Sequence, residues 1–240
     1  MRYLMFRKAI KKVKRILSIV YFGLLILRWC GPRLFVRKMA HQLYGRTIFL
    51  VTVQTPDHHK HQVDFDCTVN LATSEDVKEL FNSLHTESPK GRYELLVRKW
   101  YHEQGFGDCY ITRTANTNEI CAVRWLVNSE HIRKLGWEDR FPLDKDEYMS
   151  ENLYTFERYR HQGVRLASAS RFRNIVLQLG YSHNKGYTDV TNEDQRRHQE
   201  QEGSPISAVI IERHFLFHVI RKIVERYDPP IPRTALPNIK

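Results

Sequence analysis

The sequence predicts an α/β fold, with strands and helices alternating along the chain. Two stretches predict it. The first runs from Asn152 to Leu179: an extended aromatic-rich run, a polar turn containing Gly163, then apolar residues at helical spacing. The second is an alternating hairpin, Asp108–Thr114 and Glu119–Asn128, joined by Ala115-Asn116-Thr117-Asn118. A basic amphipathic helix precedes both.

Within the first stretch, Leu153 to Phe156 ends a central strand that starts near Glu147. Leu166, Ala169, Phe172, Val176 and Leu179 recur at three- and four-residue steps, on one expected helix face. Gly180 closes that helix. A helix start after a glycine turn offers unpaired N–H groups and the positive end of the helix dipole, a setting for a bound phosphate.

These residues carry a family resemblance. Arg160-His161-Gln162-Gly163-Val164 resembles the (Gln/Arg)-x-x-Gly-x-(Gly/Ala) loop of the GNAT superfamily of N-acetyltransferases. Arg165 departs from the pattern where Gly or Ala is usual. A second match is Asn192, after a strand expected over Tyr187–Thr191, with Gly203 eleven residues later. The resemblance covers roughly Val69 to Val219 and implies a mixed, mostly antiparallel central sheet flanked by helices. It also implies acetyl-CoA as acyl donor, held by the backbone of Leu153, Tyr154, Thr155 and Phe156. The loop Arg160 to Leu166 and Asn192 complete that binding set.

The implied reaction is direct acyl transfer to an amine. The amine must lose a proton, the thioester oxygen must meet donors, and the thiolate must leave. Glu147 and Glu151 lie four apart on the central strand, and Glu151 is the nearer candidate base. Many relatives place a Tyr acid seven residues after the Asn; here that residue is Gln199, which is no Brønsted acid. The acid role is then absent, taken by water, or moved to Tyr154. A binding module without catalysis stays open beside the enzyme.

Charge divides the chain. Of 38 Lys and Arg, twelve precede Pro56, where no Asp or Glu occurs; the other 26 face all 27 acidic residues. A near-neutral body with a basic arm argues against specific nucleic-acid binding by the body. Phe6, Ile10, Val13, Leu17 and Val20 share one helical face, and the lysines lie largely elsewhere. Such a helix lies in an anionic membrane interface or packs on its own domain; both readings stand. The apolar run Ile16–Leu27 is twelve residues, short of the roughly 20 that span a bilayer. No small-residue cleavage site follows it. The expected address is cytoplasmic, peripheral on the inner face of the cytoplasmic membrane.

The expected organisation is an extension over 1–46, an acyltransferase domain over 47–227 and a Pro-rich tail over 228–240. Phe35–Tyr44 reads as a helix, Thr47–Gln54 and Val63–Ala72 as strands. A capping box at Thr73 starts a helix to Leu84, and Arg92–Glu103 is another. Ser204–Val219 reads as the last strand or strand pair, with His214 and His218 on one face, and Ile220–Tyr227 as a helix. Cys30, Cys67, Cys109 and Cys121 are widely spaced and read as free thiols, with Cys109 and Cys121 facing across the hairpin. His58-His59-Lys60-His61 is a loop cluster without the ligands that complete a metal site. No metal is expected.

Overall fold

The computed structural model describes residues 20–55, 64–201, 204–215 and 218–232. The basic start of the N-terminal helix, the histidine cluster, Gly203 and most of the tail lie outside them.

Helix α1 covers residues 20–30 and α2 covers Pro32–Tyr44, with Gly31-Pro32 as the break. Eight strands form one sheet: β1 Arg46–Gln54, β2 Cys67–Leu71, β3 Asp108–Thr114, β4 Ile120–Asn128, β5 Glu147–Thr155, β6 His183–Asp189, β7 Ile206–Phe215 and β8 His218–Ile231. Their order is β2-β3-β4-β5-β6-β1-β7-β8. Every pairing is antiparallel except β5 with β6, which is parallel. The sheet is therefore mixed and mostly antiparallel, as implied. The helices between strands are α3 Ser74–Asn82, α4 Pro89–Glu103, α5 Ser129–Leu135, α6 Val164–Gln178 and α7 Glu193–Gln201.

Local chemistry explains the boundaries. The Thr73 hydroxyl accepts the Asp76 N–H, and the Asp76 carboxylate accepts the Thr73 N–H, the reciprocal capping box that starts α3. Ser88 caps α4, with Pro89 following. Gly180, at φ 83°, takes the left-handed position just after α6. The largest core packs Leu80, Leu95, Trp125, Met149 and Tyr154 between the sheet and α3–α4.

Several expectations are corrected. Strand β1, expected only as a strand, lies inside the sheet between β6 and β7. Ile220–Tyr227 is strand, not helix, and β8 carries Pro229 and Pro230 into a segment expected to be irregular. As an edge strand, β8 accommodates residues that lack an N–H. His214 lies one residue before the end of β7 and His218 begins β8, so they belong to two strands. Cys109 is opposite Trp125, whereas the Cys121 thiol donates to the Thr112 carbonyl; they do not face each other. All four thiols are free, as expected. On α6 the buried residues are Val164, Ala167, Ser168, Phe172 and Val176, while Leu179 is exposed. The helix is turned relative to the expected face, which frees Ala169 to line a cleft.

Candidate active site

The parallel pair β5–β6 holds only at Glu147 opposite His183 and Tyr148 opposite Asn184. Beyond it the strands diverge, although the Ser150 N–H still reaches Asn184 Oδ1 at 3.3 Å. Across β4, Trp125 stands opposite Glu151 and Val123 opposite Tyr154, so β5 carries one extra residue. The result is a bulge with Asn152 at φ 56°.

Arg98 of α4 holds that bulge. Its Nε donates to the Asn152 carbonyl at 2.6 Å, Nη2 to the Leu153 carbonyl at 2.7 Å and Nη1 to the Glu94 carbonyl at 2.7 Å. Sequence reasoning missed this residue. An arginine on a half-buried helix resembles a solvated charge until the strand bulge beside it is known. Arg98→Met is expected to cost about 3 kcal/mol, since three carbonyls lose a charged donor. A urea denaturation midpoint measures it, and an unchanged midpoint refutes the anchoring role.

Where β5 and β6 part, a cleft of about 370 Å³ opens. Its floor is β5, β6 and β1, through Ser150, Glu151, Tyr187 and Thr52. Its walls are α6, through Arg165, Ala169 and Arg173, and α7, through Gln195 and Gln199. Of the residues expected at the site, Glu151, Leu153, Arg165 and Asn192 line it.

Glu151 retains some surface on the cleft but is enclosed enough that burial pushes its carboxyl up to about 7. Hydrogen bonds from the backbone of Tyr187 and Asn152, and the Arg98 charge, oppose that rise. Glu147, the other carboxylate of the pair, is paired to Lys185 at 2.8 Å.

Tyr154 does not line the cleft. Its ring is buried in the core under the Arg98 and Arg160 guanidiniums, and its hydroxyl donates to buried Glu87. Burial first, then that carboxylate, holds the phenol well above its usual range. Gln199 is buried too: Nε2 donates to Thr188 Oγ1 at 2.7 Å and reaches Thr52 Oγ1 at 3.4 Å. These bonds fasten α7, which has no apolar stripe, onto β6 and β1. The Arg165 guanidinium adds a 2.6 Å bond to Gln195. Asn192 Oδ1 accepts the Gln195 N–H, so its side chain caps α7.

The loop from β5 to α6 is fastened at its start. Glu157 accepts the Ser88 N–H at 3.1 Å and the Ser88 hydroxyl at 2.5 Å. Arg160 folds back, with Nε on the Thr155 carbonyl at 3.2 Å. His161, at φ 64°, and Gln162 are exposed, and Gln162 Nε2 donates to the Arg158 carbonyl. Gly163, at φ 83°, is the N-cap of α6, with no side-chain cap and no acidic residue in the first turn. Val164 is buried against Cys121 and Ala122, and Leu166 is half-buried. The Phe156 N–H pairs with the Cys121 carbonyl of β4, so by alternation the Thr155 N–H faces the open side of β5. An uncapped helix start at one end and a carboxyl of raised pKa at the other thus bracket one open strand edge.

No family model matches the chain, and no curated protein matches it. Among solved structures it is similar to a GCN5-related glucosamine N-acetyltransferase region of a fungal multi-domain GH3 β-N-acetylglucosaminidase (TM-score 0.47, 13% identity, 68% of this chain and 21% of that one). A GCN5-related N-acetyltransferase from Sphaerobacter thermophilus is also similar (TM-score 0.45, 10% identity, 82% of this chain and 58% of that one). So is a GNAT family N-acetyltransferase from Escherichia coli in complex with CoA (TM-score 0.34, 11% identity, 51% of this chain and 63% of that one). The chain spans less than two thirds of the length of each. Its own geometry is a mixed sheet whose β5 and β6 diverge beside an uncapped helix start.

Proposed function

We propose that the protein is an N-acyltransferase that takes its acyl group from acetyl-CoA or a related thioester and passes it directly to an amine. The observation that carries this reading is the open edge of β5, running from the α6 N-terminus to Glu151. The donor's diphosphate meets the first-turn amides of α6 around Gly163. Its pantetheine pairs along the open edge of β5 near Thr155 and Leu153. Glu151, as carboxylate, takes the proton from the attacking amine nitrogen. The nitrogen forms a bond to the thioester carbon, and charge on the carbonyl oxygen is met by β5 N–H groups. The C–S bond then breaks and the CoA thiolate leaves. Calorimetric titration of acetyl-CoA into the full chain tests the donor: micromolar binding supports it and no binding refutes it.

A second reading is a binding module of the same fold without turnover. Gln199 and Tyr154 favour it, since one is locked to two threonines and the other is sealed beneath Glu87. CoA binding with no thiol release over a panel of amines supports this reading.

We also propose that α1 lies on an anionic membrane surface. Its inner side packs Phe22, Leu25, Ile26 and Trp29 on the protein. Its outer side exposes Val20, Tyr21, Leu24 and Leu27, beside Arg28. Among the described residues no helix is long and apolar enough to cross a membrane. The variant Leu24→Glu with Leu27→Glu changes exposed positions only. It is expected to lose most co-flotation with phosphatidylglycerol vesicles while keeping its melting temperature; undiminished flotation refutes the role of α1.

A further inference from the structure

Arg124 stands on β4 opposite the β5 bulge, on the side of the sheet that α6 covers. It is 4% exposed. Among the described residues its guanidinium makes one hydrogen bond, Nη2 to Ser168 Oγ at 3.1 Å, and Ser168 in turn bonds Thr112 Oγ1 at 2.7 Å. Its Nε is buried without a partner. Among the described residues no carboxylate pairs with it. The ring of Phe172, 4.8 Å from the guanidinium carbon, offsets part of the burial cost and none of the missing hydrogen bond.

An enclosed cation without a counter-ion is expensive to keep. Arg98, on the opposite face, shows how this chain settles such a charge: its donors are met by three carbonyls. Arg124 has no such set, and it lines the cleft. Burial, with the neighbouring Arg165 charge adding to it, lowers its pKa to about 10, so it stays cationic at neutral pH. Arg165 and Arg173 line the same wall. Among the described residues the carboxylates lining the cleft are Glu151 and Asp189, and Asp189 already accepts the Thr191 N–H and hydroxyl at 2.8 Å. Arg124 therefore sets a positive charge at depth beneath α6, where a neutral acetyl group and an uncharged pantetheine arm supply no anion.

We propose that Arg124, with Arg173 beside it, forms an oxyanion subsite beneath α6, separate from the diphosphate site at the α6 N-terminus, that takes a carboxylate or phosphate borne by a substrate. Two sources supply that chemistry: an acyl chain ending in a carboxylate, or a phosphate group arriving with the acceptor. The first rests on the donor reading given above; the second does not.

The test uses the full chain as wild type, Arg124→Met and Arg173→Gln, the last being the safeguard should Arg124→Met fail to fold. Acetyl-CoA, succinyl-CoA and inorganic phosphate are the probes, by calorimetry and thermal shift. Succinyl-CoA is expected to bind about tenfold tighter than acetyl-CoA, the worth of one charge-assisted hydrogen bond. That margin should vanish in Arg124→Met and shrink in Arg173→Gln, which assigns the anion to the acyl chain. If neither thioester binds but phosphate raises the melting temperature of wild type and not of the variants, the subsite stands with a phosphate ligand and the donor reading falls. Equal affinity for the two thioesters with no phosphate effect overturns the subsite. So does a succinyl margin or a phosphate effect that both variants retain.

Discussion

Gly163→Glu should lower acetyl-CoA affinity more than a hundredfold, the loss of a few kcal/mol of phosphate contact. The effect has two parts. Gly163 holds φ at 83°, where any residue with a Cβ is strained by about 1–2 kcal/mol. The new carboxylate also stands at the start of α6, where a negative charge favours the helix and opposes a bound diphosphate. The charge alone therefore moves fold and binding in opposite directions, while the strain weakens the fold. Gly163→Ala carries the strain without the charge, and is expected to lose about tenfold or less. Calorimetry on both variants, beside a melting curve for each, separates the two parts. Equal affinities for wild type and Gly163→Glu refute the diphosphate assignment.

Glu151→Gln should lower kcat/KM about a hundredfold to a thousandfold while leaving acetyl-CoA affinity within twofold, the range for a lost general base. With a carboxyl pKa near 7, the wild-type rate should rise with pH and level off above it, because only the carboxylate accepts the proton. The variant should lack that rising limb. Stability carries the opposite sign. The folded pKa of Glu151 lies above the ordinary 4.5, so between pH 4.5 and 7 the folded state holds a proton that the unfolded state releases. Stability from this group is present below 4.5 and is lost as pH rises to 7. Glu151→Gln should accordingly melt higher than wild type at pH 8, with the gap closing toward pH 4.5. Full activity together with an unchanged melting gap clears Glu151 of the base role.

The elements most legible in the sequence were those with strong local chemistry. The Thr73 capping box, the Asp108–Asn128 hairpin and the turn at Gly163 all form where local patterns put them. Glu151 was placed in the cleft by its position on the central strand alone. What the sequence withheld is non-local. The insertion of β1 between β6 and β7 depends on pairings between residues far apart in the chain. The partner of Tyr154 is Glu87, which lies in the connection before α4 and has no pattern to mark it. Arg98 and Arg124 look alike in a sequence. Only the fold shows that one is met by carbonyls and the other is not. The Ile220–Tyr227 misreading has the same origin, since an apolar run with charges suits a helix or a strand until β7 is placed beside it.

The position of β1 has a kinetic consequence. Strands β7 and β8 join the rest of the sheet through β1 alone, and β1 is the first strand among the described residues. Leu50 pairs with Thr188 on one side and Val209 on the other, so each ladder closes a loop of well over a hundred residues. Such pairings gain nothing until β6 and β7 are available, and folds built on them form slowly. On the ribosome, residues 46–54 emerge long before either partner strand exists. Until residues 183–215 follow, Ile48, Leu50 and Val51 have no sheet to enter. An apolar strand left waiting in this way is a natural client for a holding chaperone.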